Sequence, residues 1–155
     1  MKHLLLTLAM CFMFAEAQAQ AHIGLNVVNA SELEQWGGQV QIGYQFRHFG
    51  VRASYGQFFN EQITMKPSTV NFDVSYIIPA NTILVPYVFS GLNLTKAESM
   101  PAEDLLNYGT YGGLNLGAGG YFNFNVVQPF TEVKYVTGEF NQWYVSAGLR
   151  YQITQ

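Results

Sequence analysis

A chain of 155 residues has room for one domain, and 49% hydrophobic residues against 11% charged ones make it greasy for its size. A formal net charge of −3 excludes the basic footprint that nucleic acid demands. The only cysteine is Cys11, so the chain beyond it has neither a disulfide framework nor a cysteine metal site.

The amino end, MKHLLLTLAMCFMFAEAQAQ, has a basic start at Lys2, an apolar run from Leu4 to Phe14, and the small-residue site Ala17-Gln18-Ala19. That is the three-part layout of a secretory signal, with cleavage expected before Gln20. Residues 1–19 are then expected to be a cleaved leader and residues 20–155 the single mature domain. The apolar run is too short for a transmembrane helix, which needs about 20 such residues. Met10 is too large for a lipoprotein cleavage box and the apolar run continues past Cys11, so that cysteine is a bystander.

After the leader come eight runs with strand character. Residues 21–29 alternate Ile23, Leu25 and Val27 with His22, Gly24 and Asn26. Residues 37–46 set Val40, Ile42, Tyr44 and Phe46 opposite Gln39, Gln41, Gly43 and Gln45. In 51–59, Val51, Ala53 and Tyr55 oppose Arg52, Ser54 and Gly56. In 68–78, Val70, Phe72, Val74 and Tyr76 oppose Asn71, Asp73 and Ser75.

The fifth run, 83–94, is apolar on both faces, and its phase stays open. Residues 110–124 set Leu114, Leu116, Ala118 and Phe122 against Asn115, Gly117, Gly119 and Tyr121. In 127–137, Val133 and Tyr135 oppose Glu132 and Lys134. The closing run sets Trp143, Val145, Ala147, Leu149, Tyr151 and Ile153 against Tyr144, Ser146, Gly148, Arg150 and Gln152. Pro86 and Pro129 mark strand beginnings or bulges, since proline donates no ladder hydrogen bond. Only 101–108 shows any helical periodicity, enough for a turn or two.

Links alternate between long (30–36, 60–67, 95–109) and short (47–50, 79–82, 125–126), a pattern that weakens at 138–141. An up-and-down outer-membrane barrel has this asymmetry, with tight periplasmic turns and longer outside loops. Glu32, Glu34, Glu61, Glu98, Glu103, Asp104 and Glu139 all fall in the proposed outer loops. Aromatics gather near both rims: Trp36, Phe58, Phe59, Tyr108, Tyr111, Phe140 and Trp143 by the long loops, and Phe46, Phe49, Tyr76, Phe122, Phe124 and Tyr151 by the short turns. Two such girdles suit the two membrane–water interfaces.

The fold expected is therefore all-β: an eight-stranded antiparallel up-and-down transmembrane β-barrel. Its apolar face meets hydrocarbon, and Arg52, Asp73, Glu132, Lys134 and Arg150 form a polar network inside. Eight strands enclose a space that side chains just fill, so the three cations are expected to pair with the two carboxylates while glycines make room for the arginines. The inverted, soluble arrangement would offer water little but glutamine, glycine and serine, a poor surface.

GLNLGAGGYFNF and VVQPFTEVKYVTGEFNQWYVSAGLRYQI resemble the last three strands of the small outer-membrane β-barrel domain family, which includes OmpX-like and OmpA-barrel-like proteins, in wording similar to Bacteroidota versions. The resemblance covers the mature chain and implies a Gram-negative outer membrane, outer-membrane lipid as surroundings and the barrel-assembly machinery as a partner during biogenesis. Ser146, Gly148, Tyr151 and Ile153 resemble that machinery's insertion signal, although Thr154-Gln155 replaces the usual terminal phenylalanine.

Some barrels of this kind act on lipid A with a histidine, a serine and a carboxylate. His22 and His48 both fall at the periplasmic rim and lack the His-any-Ser pattern, so no catalytic residue is assigned. No metal or cofactor site is assigned either. Met100, Leu105 and Leu106, apolar in an acidic loop, are the candidate contact surface for an envelope protein partner. Three readings follow: a non-enzymatic structural or surface-interaction barrel, a narrow porin-like channel, and a soluble periplasmic ligand-binding barrel.

Overall fold

A computed structural model describes residues 19–31, 35–59, 67–97, 109–138 and 141–153. Residues 1–18 of the expected signal sequence, the 101–108 stretch, the contact residues Met100, Leu105 and Leu106, and all seven loop acids named above lie outside the described residues, whereas Ala19, placed by the sequence at the end of the leader, already opens the first strand.

Eight strands run in chain order: β1 (Ala19–Ala30), β2 (Gln35–Phe46), β3 (Phe49–Phe59), β4 (Ser68–Ile77), β5 (Leu84–Ala97), β6 (Gly109–Phe122), β7 (Val127–Gly138) and β8 (Gln142–Ile153). Each pairs antiparallel with its neighbour, and β1 pairs with β8 from Ala21↔Ile153 to Ala30↔Tyr144, closing the barrel. Closure removes both sheet edges and pairs the backbone around the whole circumference.

Period-two alternation survives the fold with its sense intact. Leu25, Ile42, Val74, Leu116, Val145 and Leu149 stand exposed on the outer wall, while Asn26, Gln41, Asp73, Asn115 and Ser146 are buried within. In β5 the pairing Asp73↔Gly91 and Asn71↔Asn93 turns Tyr87, Phe89, Gly91 and Asn93 inward, giving this strand its phase.

Several sequence expectations need correction. The sixth run ends at Phe122, and Phe124 makes only an isolated bridge with Val127. The 47–50 link shrinks to Arg47 and His48, because Phe49↔Phe46 already belongs to the ladder. The 79–82 link grows to 78–83, longer than the outer link 139–141, so link length separates the rims less cleanly than expected.

Phe58 is no girdle residue. It shares the side of Arg52, is 2% exposed, and packs inside near the long-loop rim. Trp36, Phe59 and Trp143 do face outward there, as do Phe49, Tyr76, Phe122 and Tyr151 at the other rim. Tyr135 and Trp143 lie 4.8 Å apart between ring centroids, and Phe49 meets Tyr76 edge-on at 5.3 Å.

Candidate functional site

The lumen is layered along its axis. At the long-loop end Val28, Ala30, Phe58, Val136 and Tyr144 form one apolar cluster. At the short-turn end Ile77, Tyr87, Phe89, Tyr121 and Phe130 form another. A polar belt lies between them, and β1 to β7 all contribute to it.

Arg52 is the hub. It sits opposite Asp73 in the β3–β4 ladder, and its Nη2 reaches Asp73 Oδ2 at 3.0 Å. Its Nη1 crosses the lumen to Glu132 Oε1 on β7 and also donates to Gln41 Oε1 at 3.2 Å. The Tyr87 hydroxyl donates to the same Glu132 oxygen. Only 13% of the Arg52 side chain is exposed, and its two carboxylates less, so these charge-assisted bonds are shielded from water.

A second node is Asn71, fully buried on β4. Its Oδ1 accepts from Asn93 at 2.7 Å, Lys134 Nζ at 3.0 Å and Asn115 at 3.1 Å. Asn115 also donates to Asp73 Oδ1 at 2.8 Å, which joins the two nodes. On the other side Asn71 donates to Ser54, Gln39 to Ser54, and Asn26 to Gln39. A buried polar group without a partner costs about 1–3 kcal/mol, so a belt this dense must be placed as a unit.

The expected network is therefore present with different pairings. Both carboxylates bond to Arg52, while Lys134 settles for an amide oxygen and Arg150 for Gln128 Oε1, reached by Nε at 2.9 Å and Nη2 at 2.6 Å. Each cation lies over an aromatic ring: Arg52 over Phe89 and Lys134 over Tyr144, both at 4.8 Å, and Arg150 over Tyr121 at 3.9 Å.

The glycines serve other neighbours than the arginines. A Cβ on Gly117 would stand 2.4 Å from Phe89, and one on Gly43 2.5 Å from His22. These two make space for rings of the short-turn half, while Gly24, Gly50 and Gly148 stand against Gln41, Ser75 and Asn26.

Tyr87, Phe89 and Asn93 were missed because their strand is apolar on both faces. "GLNL" held the usable signal: Asn93 with Gly91 matches the small-and-polar side of every other strand, but Ser90 competes for that role. Ser90 in fact faces outward and donates to the carbonyl of Asn115 at 3.0 Å. Of the proposed insertion signal, Ser146 and Gly148 lie on the lumen side, and Tyr151 and Ile153 are exposed on the wall. His22 is buried in the lumen near the short-turn rim, and His48 occupies the β2–β3 turn. No cluster of three or more metal-ligating side chains occurs among the described residues.

Two small cavities lie in the lumen. A cavity of about 20 Å³ lies in the short-turn half and one of about 10 Å³ in the long-loop half, each room for roughly one water. Arg52 and Asp73 line both.

No family model and no curated protein matches the sequence. Solved structures do. The N-terminal β-barrel domain of Pseudomonas aeruginosa OprF matches with a TM-score of 0.75 at 18% identity, over 88% of this chain and 100% of that one. Neisserial surface protein A matches at 0.60 and 16%, over 87% and 96%. Yersinia pestis Ail, in a phospholipid bilayer nanodisc, matches at 0.58 and 14%, over 88% and 100%. This is the fold of the small outer-membrane β-barrels. Nothing in these likenesses supports a particular tie to Bacteroidota versions. The same fold carries an outer membrane enzyme, PagL, at a TM-score of 0.53 and 12% identity over 86% and 99%, so fold alone does not separate enzymes from non-enzymes.

Proposed function

We propose that this chain is an integral barrel of a Gram-negative outer membrane, with a plugged lumen, acting as a structural or surface-interaction protein through its long loops rather than as an enzyme. The observation that carries this reading is the inverted polarity of the closed barrel. Leu25, Leu116, Ile42 and Leu149 are each more than half exposed on the wall, while Arg52, Asp73 and Glu132 are sealed inside. Lipid suits that wall and water does not.

Three further features support it. The aromatic side chains exposed at both rims fit the two headgroup levels. His22 and His48 lie at the end opposite the long loops, away from where outer-leaflet chemistry would occur. The two lumen cavities, each of about one water and both bounded by Arg52 and Asp73, disfavour a porin-like channel. The barrel-assembly machinery is the expected partner in biogenesis, with Ser146, Gly148, Tyr151 and Ile153 as its signal. Residues 95–108, with Met100, Leu105 and Leu106, are where an envelope partner would bind.

Spin labels at positions 149 and 150 of the reconstituted protein test the orientation. The probe at 149 should relax with bilayer oxygen, and a response to aqueous nickel chelate instead would end this reading. Planar-bilayer recordings test the plug: no conductance above background is expected, and stable single-channel steps would favour a channel.

A further inference from the structure

Among the described residues the charges of the lumen do not balance: it holds three cations, Arg52, Lys134 and Arg150, and two carboxylates, Asp73 and Glu132. The belt is neutral as a group: Arg52 bonds both carboxylates, and Lys134 sits one amide away on Asn71, whose neighbour Asn115 bonds Asp73. Arg150 is the cation left over. It has neutral Gln128 and the face of Tyr121 as partners, and no carboxylate among the described residues pairs with it. A charge removed from water without a counter-charge is costly, and the cost falls when an anion accompanies it.

The short-turn cavity has the walls to receive that anion. Arg150 and Arg52 both line it, with His22, Gln41, Gln45 and Ser75 adding neutral donor groups and Asp73 its one acid. The long-loop cavity differs, because Arg52 and Lys134 there face both Asp73 and Glu132, a balanced set. The floor is apolar, from Ile77, Tyr87 and Phe130, which keeps the field of the guanidinium unscreened. Space for about one water suits a monatomic anion better than sulfate or phosphate.

We propose that this cavity is a halide site, with Arg150 as its principal ligand and the anion as the missing counter-charge of the barrel interior. The inference rests on the closed barrel and its lumen, and holds whatever the loops bind.

Crystals of the refolded full chain grown in sodium bromide provide the test. An anomalous bromine peak is expected within hydrogen-bonding reach of Arg150, lost in Arg150→Gln and kept in Arg150→Lys. An ordered lumen without a peak overturns the site, and so does a peak unchanged in Arg150→Gln. Should Arg150→Gln fail to fold, the unmodified protein gives the answer through the peak alone: bromine density beside Arg150 supports the site, and its absence from an ordered lumen overturns it.

Discussion

The two faces of one wall obey different rules. On the outside, Leu25, Leu116 and Leu149 are more than half exposed and carry no polar group that needs a partner, so an apolar side chain of another shape would serve. On the inside, Asn71 has four bonding neighbours and no exposed surface, and Arg52 has bonds to β2, β4 and β7 at once. The wall constrains polarity alone, whereas the lumen constrains identity, position and charge. The difference follows from the surroundings, since lipid accepts any hydrocarbon while a sealed lumen leaves each polar atom only the partners the barrel supplies.

The sharpest way to break that contrast is at the hub. Arg52→Met leaves Asp73 and Glu132 buried without their cation and should lower stability by about 3–5 kcal/mol, measured by denaturant unfolding of the refolded protein in liposomes. Replacing Arg52, Asp73 and Glu132 together by apolar residues should recover most of the loss. If the single variant is neutral, the belt is not what holds the lumen.

Next is the wall. Leu116→Arg, near the middle of β6, should cost about 2–4 kcal/mol at the bilayer midplane, against well under that for Leu116→Val in the same assay. Equal effects would mean that lipid does not cover this face. Asn71→Ala should fall below both, at about 1–3 kcal/mol, because Asn93, Asn115 and Lys134 lose a shared acceptor.

The smallest effect belongs to neither face. Arg47 opens the β2–β3 turn with φ 47°, a left-handed conformation that side chains resist. Arg47→Gly should stabilise by up to about 1 kcal/mol, read as a shift in unfolding midpoint. Asn125 occupies the matching conformation in the β6–β7 turn at φ 64°, where asparagine is already tolerated, so Asn125→Gly should change little.

Much of the fold was legible because a strand writes its two faces into alternate residues. Seven runs declared their phase in that way. The eighth, β5, did not, because its interior half is built from Val85, Tyr87 and Phe89, and apolar residues facing apolar residues erase the alternation. Phe58 was misplaced for a related reason: nearness to a rim suggested a girdle, although its parity with Arg52 already put it inside.

The candidate site was legible only as an inventory. That Arg52, Asp73, Glu132, Lys134 and Arg150 share the lumen follows from parity. Which carboxylate meets which cation does not, because Arg52 and Glu132 stand on strands far apart around the circumference.

The sequence by itself determined the number of strands, the greasy and ionic faces of nearly all of them, and the end at which each turn lies, because those depend on period and local composition. Only the tertiary structure decided that both carboxylates converge on Arg52, that Tyr87 and Phe89 cap the belt, and that Arg150 finds no counter-charge among the described residues. Those outcomes depend on register and on closure of β1 against β8, which bring residues distant in the chain within bonding distance across a narrow, water-poor interior.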